Sequence, residues 1–85
     1  MKVQAEVSLY PLRQNELTKP IQQFIQALEN DKLKVELGPM GSLVTGDSQV
    51  VFESLRKAFE QLAQRYEIVL TAKISNACPE VNKDR

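Results

Sequence analysis

Six segments of the chain carry a regular apolar period, and the order two, 3.6, two, two, 3.6, two restricts the fold more than any single motif. Between residues 2 and 10, Val3, Ala5, Val7 and Leu9 alternate with Gln4, Glu6, Ser8 and Tyr10, as in a strand with one face buried. Pro11 is expected to end that strand. Ile21, Phe24, Ile25 and Leu28 then recur at helical spacing, which predicts a helix over residues 18–30 with Thr18 as N-cap and Pro20 accommodated in the first turn. Residues 33–37 and 42–45 read as two short strands, joined by Gly38-Pro39-Met40-Gly41 with proline and glycine where a type I turn accepts them. Asp47 or Ser48 caps a second helix, whose stripe is Val51, Leu55, Ala58, Phe59, Leu62 and Tyr66. Ile68, Leu70, Ala72 and Ile74 alternate with Val69, Thr71, Lys73 and Ser75 in a fourth strand.

Strand-helix-strand-strand-helix-strand, without internal repeat or low-complexity linker, is the ferredoxin-like pattern of an α+β protein: a four-stranded antiparallel sheet with both helices on one face. Residues 1–79 are expected to form this single domain, with 80–85 as a flexible charged tail. The other sheet face then carries Gln4, Glu6, Ser8 and Tyr10 beside Val69, Thr71, Lys73 and Ser75. Antiparallel pairing of the outer two segments puts Glu6 opposite Lys73 and Ser8 opposite Thr71. That face is poor in lysine and glutamate and rich in small hydroxyls, and a chain of 85 residues buries only about 60% of its unfolded surface. Both features predict that a second subunit covers it.

Composition removes many function classes. Eleven basic and eleven acidic residues cancel, so the charge expected of a nucleic-acid binder is missing, and only Tyr10 offers a ring for an RNA-recognition sheet. There is no histidine, the commonest general base and metal ligand. Cys78 is the only cysteine, so neither an intrachain disulfide nor the paired cysteines of a metallochaperone can form, and nothing beside it in the sequence suggests a reactive thiol. Arg13 follows the first strand where an acylphosphatase-like enzyme would hold phosphate, but PLRQNEL lacks the glycines of a phosphate cradle. No catalytic residue and no metal site is expected. The N-terminal residues lack an apolar signal core and no run is long enough to span a bilayer, so a soluble, cytoplasmic protein is expected.

The densest stretch is LGPMGSLVTGD at residues 37–47, which holds a turn, a strand with two hydroxyls and a helix start. Together with EVSLYPL at 6–12 and KISNACP at 73–79 it resembles the small thiamine-binding proteins of ferredoxin-like fold, over nearly the whole chain. The resemblance implies a binder of thiamine or its hydroxymethylpyrimidine part rather than an enzyme, with thiamine as ligand and no catalytic cofactor. It also implies homo-oligomers, dimers or tetramers, that pair through open sheet faces with the ligand near that surface. Ser8, Tyr10, Met40, Ser42, Thr45 and Asn76 would supply directed hydrogen bonds and apolar walls for an aminopyrimidine. Glu6, Tyr10 and Phe52 would face a thiazolium cation.

Each residue also has a plainer role open to it. The GPMG run serves equally as a hairpin turn, Glu6 and Lys73 as a cross-strand pair, and Tyr10 as a cap on the sheet edge. Phe52 suits packing beside the helix stripe, and Asn76 suits a side-chain turn that ends the last strand. A structural or regulatory oligomer without a small ligand would use the polar sheet face as interface alone.

Overall fold

The computed structural model describes residues 1–77; Cys78, Pro79 and the tail at 80–85 lie outside the described residues. The elements are β1 (Lys2–Leu12), α1 (Thr18–Asn30), β2 (Lys34–Leu37), β3 (Ser42–Asp47), α2 (Ser48–Ala63) and β4 (Glu67–Ser75). The sheet has the order β2-β3-β1-β4, and every neighbouring pair is antiparallel.

Period two on β1 sends Val3, Ala5, Val7 and Leu9 into one core with Val44 of β3, Phe24 and Leu28 of α1, and Val51, Leu55, Ala58 and Leu62 of α2. Burying a side chain such as Phe24 or Leu28 stabilises the fold by roughly 1.5–3 kcal/mol, and these two are the largest of the fully buried side chains. The remaining face of the sheet is laid out in rows by the register. One row is Ser75, Gln4, Thr45, Lys34; the next is Lys73, Glu6, Leu43, Glu36; then come Thr71 with Ser8 and Val69 with Tyr10. Glu6 therefore lies opposite Lys73, and Ser8 opposite Thr71, as the alternation predicts.

Several local expectations need correction. β1 does not stop at Pro11 but continues to Leu12, paired with β4 from Gln4 to that end. Its ladder to β3 ends at Val7, so beyond that residue β1 is an edge strand on the β3 side, the setting in which a sheet tolerates proline. Thr18 is the first helical residue and not the cap; Leu17 occupies the cap position in αR conformation with no side-chain bond. Asp47 does cap α2, accepting from the Gln49 N–H at 3.1 Å. α2 ends at Ala63, so Tyr66 packs on the core from outside the helix. Leu33 precedes β2: after Lys32 in the left-handed region its side chain crosses over Gly46, where an added Cβ would lie 2.6 Å from Leu33 Cδ2.

The far end of the helix pair is tied by Asp31, which follows α1. Ser54 Oγ, from a buried position on α2, donates to Asp31 Oδ2 at 2.6 Å, and Lys57 Nζ lies 3.3 Å from the same oxygen.

Candidate ligand-binding site

The link between β2 and β3 decides where a ligand can enter. Within Gly38-Pro39-Met40-Gly41 the Gly38 N–H donates to Gly41 O at 2.8 Å. No residue of the link has a positive φ, which excludes the mirror-image turns and agrees with the type I expectation. Two features hold this link against β1. Ser8 Oγ donates to Met40 O at 3.1 Å. A Cβ on Gly41 would lie 2.7 Å from Ser8 Oγ and 2.8 Å from Val7 O, so only glycine allows so close an approach.

Because β3 starts opposite Val7 while β1 runs on to Leu12, the β3 side of residues 8–12 is left open. A hollow of about 330 Å³ occupies that margin of the sheet, between β1, the link and α1. Its apolar lining includes Val7, Leu9, Ile21, Phe24 and Ile25, and Ser8, Tyr10, Ser42 and Met40 line it as well. Ile21, expected in the buried helix stripe, is exposed here instead. On the other side of the link, above the open sheet face, a shallower hollow of about 400 Å³ is lined by Glu6, Glu36, Leu43 and again Met40 and Ser42. Met40 stands between the two, 86% exposed.

Four of the eight expected residues, Ser8, Tyr10, Met40 and Ser42, thus meet around one hollow, and Glu6 lines the adjacent one. The other three are not brought there. Thr45 lies on the face opposite to Ser42, paired with Gln4 and Lys34, and three residues along a strand is about 10 Å. Phe52 is on α2, 57% exposed and absent from both linings. Asn76 follows Ser75, which pairs with Gln4 at the other end of β1, and the turn there is closed by the Ser75 hydroxyl accepting from the Ala77 N–H at 2.9 Å. Glu36 was not anticipated. The alternation of Lys34 and Glu36 with Val35 and Leu37 would have marked it as an open-face residue.

Apolar side chains without cover gather at this end of the molecule. Of the eleven large hydrophobics that remain exposed among the described residues, Tyr10, Leu12, Leu17, Ile21, Leu37, Met40 and Val69 belong to the link, to the end of β2 that leads into it, or to the β1, β4 and α1 termini at that end. A patch of that kind marks a contact or binding surface.

The perturbed acids lie elsewhere. Asp31 is held below its ordinary range by the Ser54 hydrogen bond and by Lys57. Asp47 is lowered by the Met1 amino group and the Gln49 N–H, and Glu53 by Arg56. Asp31 and Asp47 flank helices, Glu53 lies within α2, and none of the three lines the hollow beside the link. A further groove of about 250 Å³ between the helices is lined by Gln23, Gln26, Asn30, Gln61 and Arg65 and contains none of the expected residues. Among the described residues no group of three or more His, Cys, Asp or Glu side chains could hold a metal ion, and no helix is long and apolar enough to cross a membrane.

The element order and the antiparallel β2-β3-β1-β4 sheet, helices on one face, define a ferredoxin-like α+β protein. The profile of the thiamine-binding protein family matches residues 5–78, and the chain belongs to that family. No curated protein matches it. Among solved structures, a hypothetical protein of Methanocaldococcus jannaschii is 27% identical with a TM-score of 0.82, covering 93% of this chain and 84% of that one. A protein of Thermotoga maritima, provisionally assigned to thiamine biosynthesis or salvage, is 22% identical with a TM-score of 0.82 over the full length of both chains. A Streptococcus pneumoniae protein is 20% identical with a TM-score of 0.85, covering 99% of this chain and 97% of that one. These last two likenesses are likenesses of fold.

Proposed function

We propose that the chain binds thiamine or its hydroxymethylpyrimidine part, without turning it over, in the hollow beside residues 38–41, and that a second copy on the open sheet face closes the site. The observation that carries this reading is the meeting of Tyr10, Ser42 and Met40 around one largely apolar hollow, in a chain of the thiamine-binding family. Its volume falls at the lower end of the roughly 300–1,000 Å³ usual for small-molecule sites. An aminopyrimidine is flat and has donors and acceptors on its rim, which hydroxyls answer from either role, while apolar walls and a thioether cover its faces. Glu6, with Glu36 across Leu43 in the same row of the open face, supplies a carboxylate of the kind a thiazolium cation favours. Salvage, transport support or sensing of vitamin B1 in the cytoplasm are the uses that such a binder serves.

Catalysis has no support in the residues: the chain has no histidine, and the hollow contains no carboxylate pair. Titration calorimetry of the purified protein with thiamine, thiamine phosphate and hydroxymethylpyrimidine tests the reading. Saturable heat with at least one compound is the expected result. If none binds while the protein sediments as an oligomer, the polar sheet face is an interface only and the unliganded structural reading replaces this one.

A further inference from the structure

We infer that Ser8 is a positioning residue, a latch that holds the 38–41 link against β1 and so sets the width of the hollow, in place of a direct contact to the ligand. A serine hydroxyl has one proton to give, and here it goes to Met40 O at 3.1 Å. The acceptor belongs to a segment that has few other ties: within the link itself the described backbone bond is Gly38 N–H to Gly41 O. Gly41 completes the latch from the other side. With no Cβ it lets the link come so near that an added carbon would sit 2.7 Å from the same Ser8 Oγ. Ser8 and Gly41 thus work as a pair, one supplying attraction and the other supplying room.

The geometry makes Ser8 control two surfaces at once. Pro39, Met40 and Gly41 form a wall shared by the helix-side hollow and the hollow above Glu6 and Glu36. Releasing Met40 O lets that wall swing, and both hollows change width together. A ligand held between the link and α1 then has to order the link as it binds, so affinity falls although no ligand contact is removed. The position of Ser8 explains why a hydroxyl is placed there. It is the first residue of β1 beyond the β3 ladder, where the side chain replaces the backbone bonds that hold the strands together from Lys2 to Val7.

The part of this inference that concerns ligand affinity rests on the proposed thiamine-binding reading, while the latch itself is measurable without ligand. Backbone ¹⁵N relaxation of Met40 and Gly41, with amide exchange of Gly38, is recorded on ligand-free parent, Ser8→Ala and Ser8→Thr proteins, followed by calorimetric titration with thiamine. Ser8→Ala is expected to lower the order parameters of Met40 and Gly41 from near the roughly 0.85 of rigid backbone towards 0.6 or below. It should also speed Gly38 exchange several-fold and weaken thiamine binding by about threefold to tenfold. Ser8→Thr, which restores the hydroxyl, should return all three towards the parent.

Weaker binding in Ser8→Ala with an unchanged link would mean that Ser8 touches the ligand, and would overturn the latch. A loosened link with unaltered affinity would overturn the second half of the inference, that the latch sets the width of the site. If the parent binds none of the thiamine compounds, the functional reading fails, yet the relaxation data still judge the latch: loosening supports it and unchanged order overturns it.

Discussion

Replacing Gly41 by alanine tests the close approach on which the site is built. The new Cβ would lie 2.8 Å from Val7 O and 2.7 Å from Ser8 Oγ, whereas ordinary contacts begin near 3.4 Å. Ser8 can turn its hydroxyl away and give up its bond to Met40, but Val7 O cannot yield, because Val7 is a fully buried residue of a strand paired on both sides. The link and the start of β3 must therefore move outward by at least about half an ångström, and overpacking of this kind costs on the order of 1–3 kcal/mol. In a domain of this size such a loss lowers the melting temperature by about 4–8 °C for each kcal/mol. Circular dichroism melts at one fixed protein concentration, so that any assembly equilibrium is held constant, measure it. Gly38→Ala is the control: its Cβ would meet only Gly41 O, at 3.0 Å, a milder contact inside the link that does not involve β1, and the loss should be less than half as large. A Gly41→Ala protein that melts within about 2 °C of the parent and binds thiamine equally would show that the approach has slack, and the reasoning about the wall of the hollow would fail with it.

Three further outcomes follow from the placement of other residues. Ser42→Ala should weaken thiamine binding about fivefold, the equivalent of one directed hydrogen bond at about 1 kcal/mol, whereas Thr45→Val, on the opposite face, should leave titration curves unchanged. Equal weakening by both would move the site to the open face. Sedimentation at micromolar concentration should show a dimer or tetramer for the parent, and Tyr10→Lys combined with Val69→Lys should shift it towards monomer, since these two exposed neighbours form an apolar step on that face; a parent that stays monomeric refutes the covered sheet. The last concerns acid. Asp31 is depressed below its ordinary 3.8 by Ser54 and Lys57, so its tie contributes to stability above that pH and is lost as pH falls through the lower folded value. Urea melts of parent and Asp31→Asn should therefore differ at pH 7 and converge once the pH has fallen through the depressed value of Asp31; a gap that persists in acid would assign the effect to something other than the carboxylate.

Much of this molecule follows from local rules that need no knowledge of the whole. Period two and period 3.6 are set by backbone geometry, so the order of the six elements, the buried face of β1 and most of the α2 stripe are legible residue by residue, and Asp47 is one of the two caps the sequence offers. Phe59 and Ala72, by contrast, are exposed, and Ile68, Leu70 and Ile74 of β4 are only partly buried. The pairing of Glu6 with Lys73 and Ser8 with Thr71 is also accessible, because the topology makes β1 and β4 antiparallel neighbours and the open-face residues of each must meet. Even the separation of Ser42 from Thr45 is present in the alternation, as the two differ by an odd number of positions. What the chain could not disclose in one dimension is where the ladders stop. β3 ends its pairing opposite Val7, and that length mismatch opens the margin in which the hollow lies, lets Pro11 remain in the strand and leaves Ile21 without cover. The same holds for the Ser8 to Met40 bond, which joins residues 32 positions apart, and for the lack of room at Gly41. These depend on how two elements distant in sequence are pressed together, and such distances are a property of the packed whole, since no local propensity encodes the neighbour that will occupy the space.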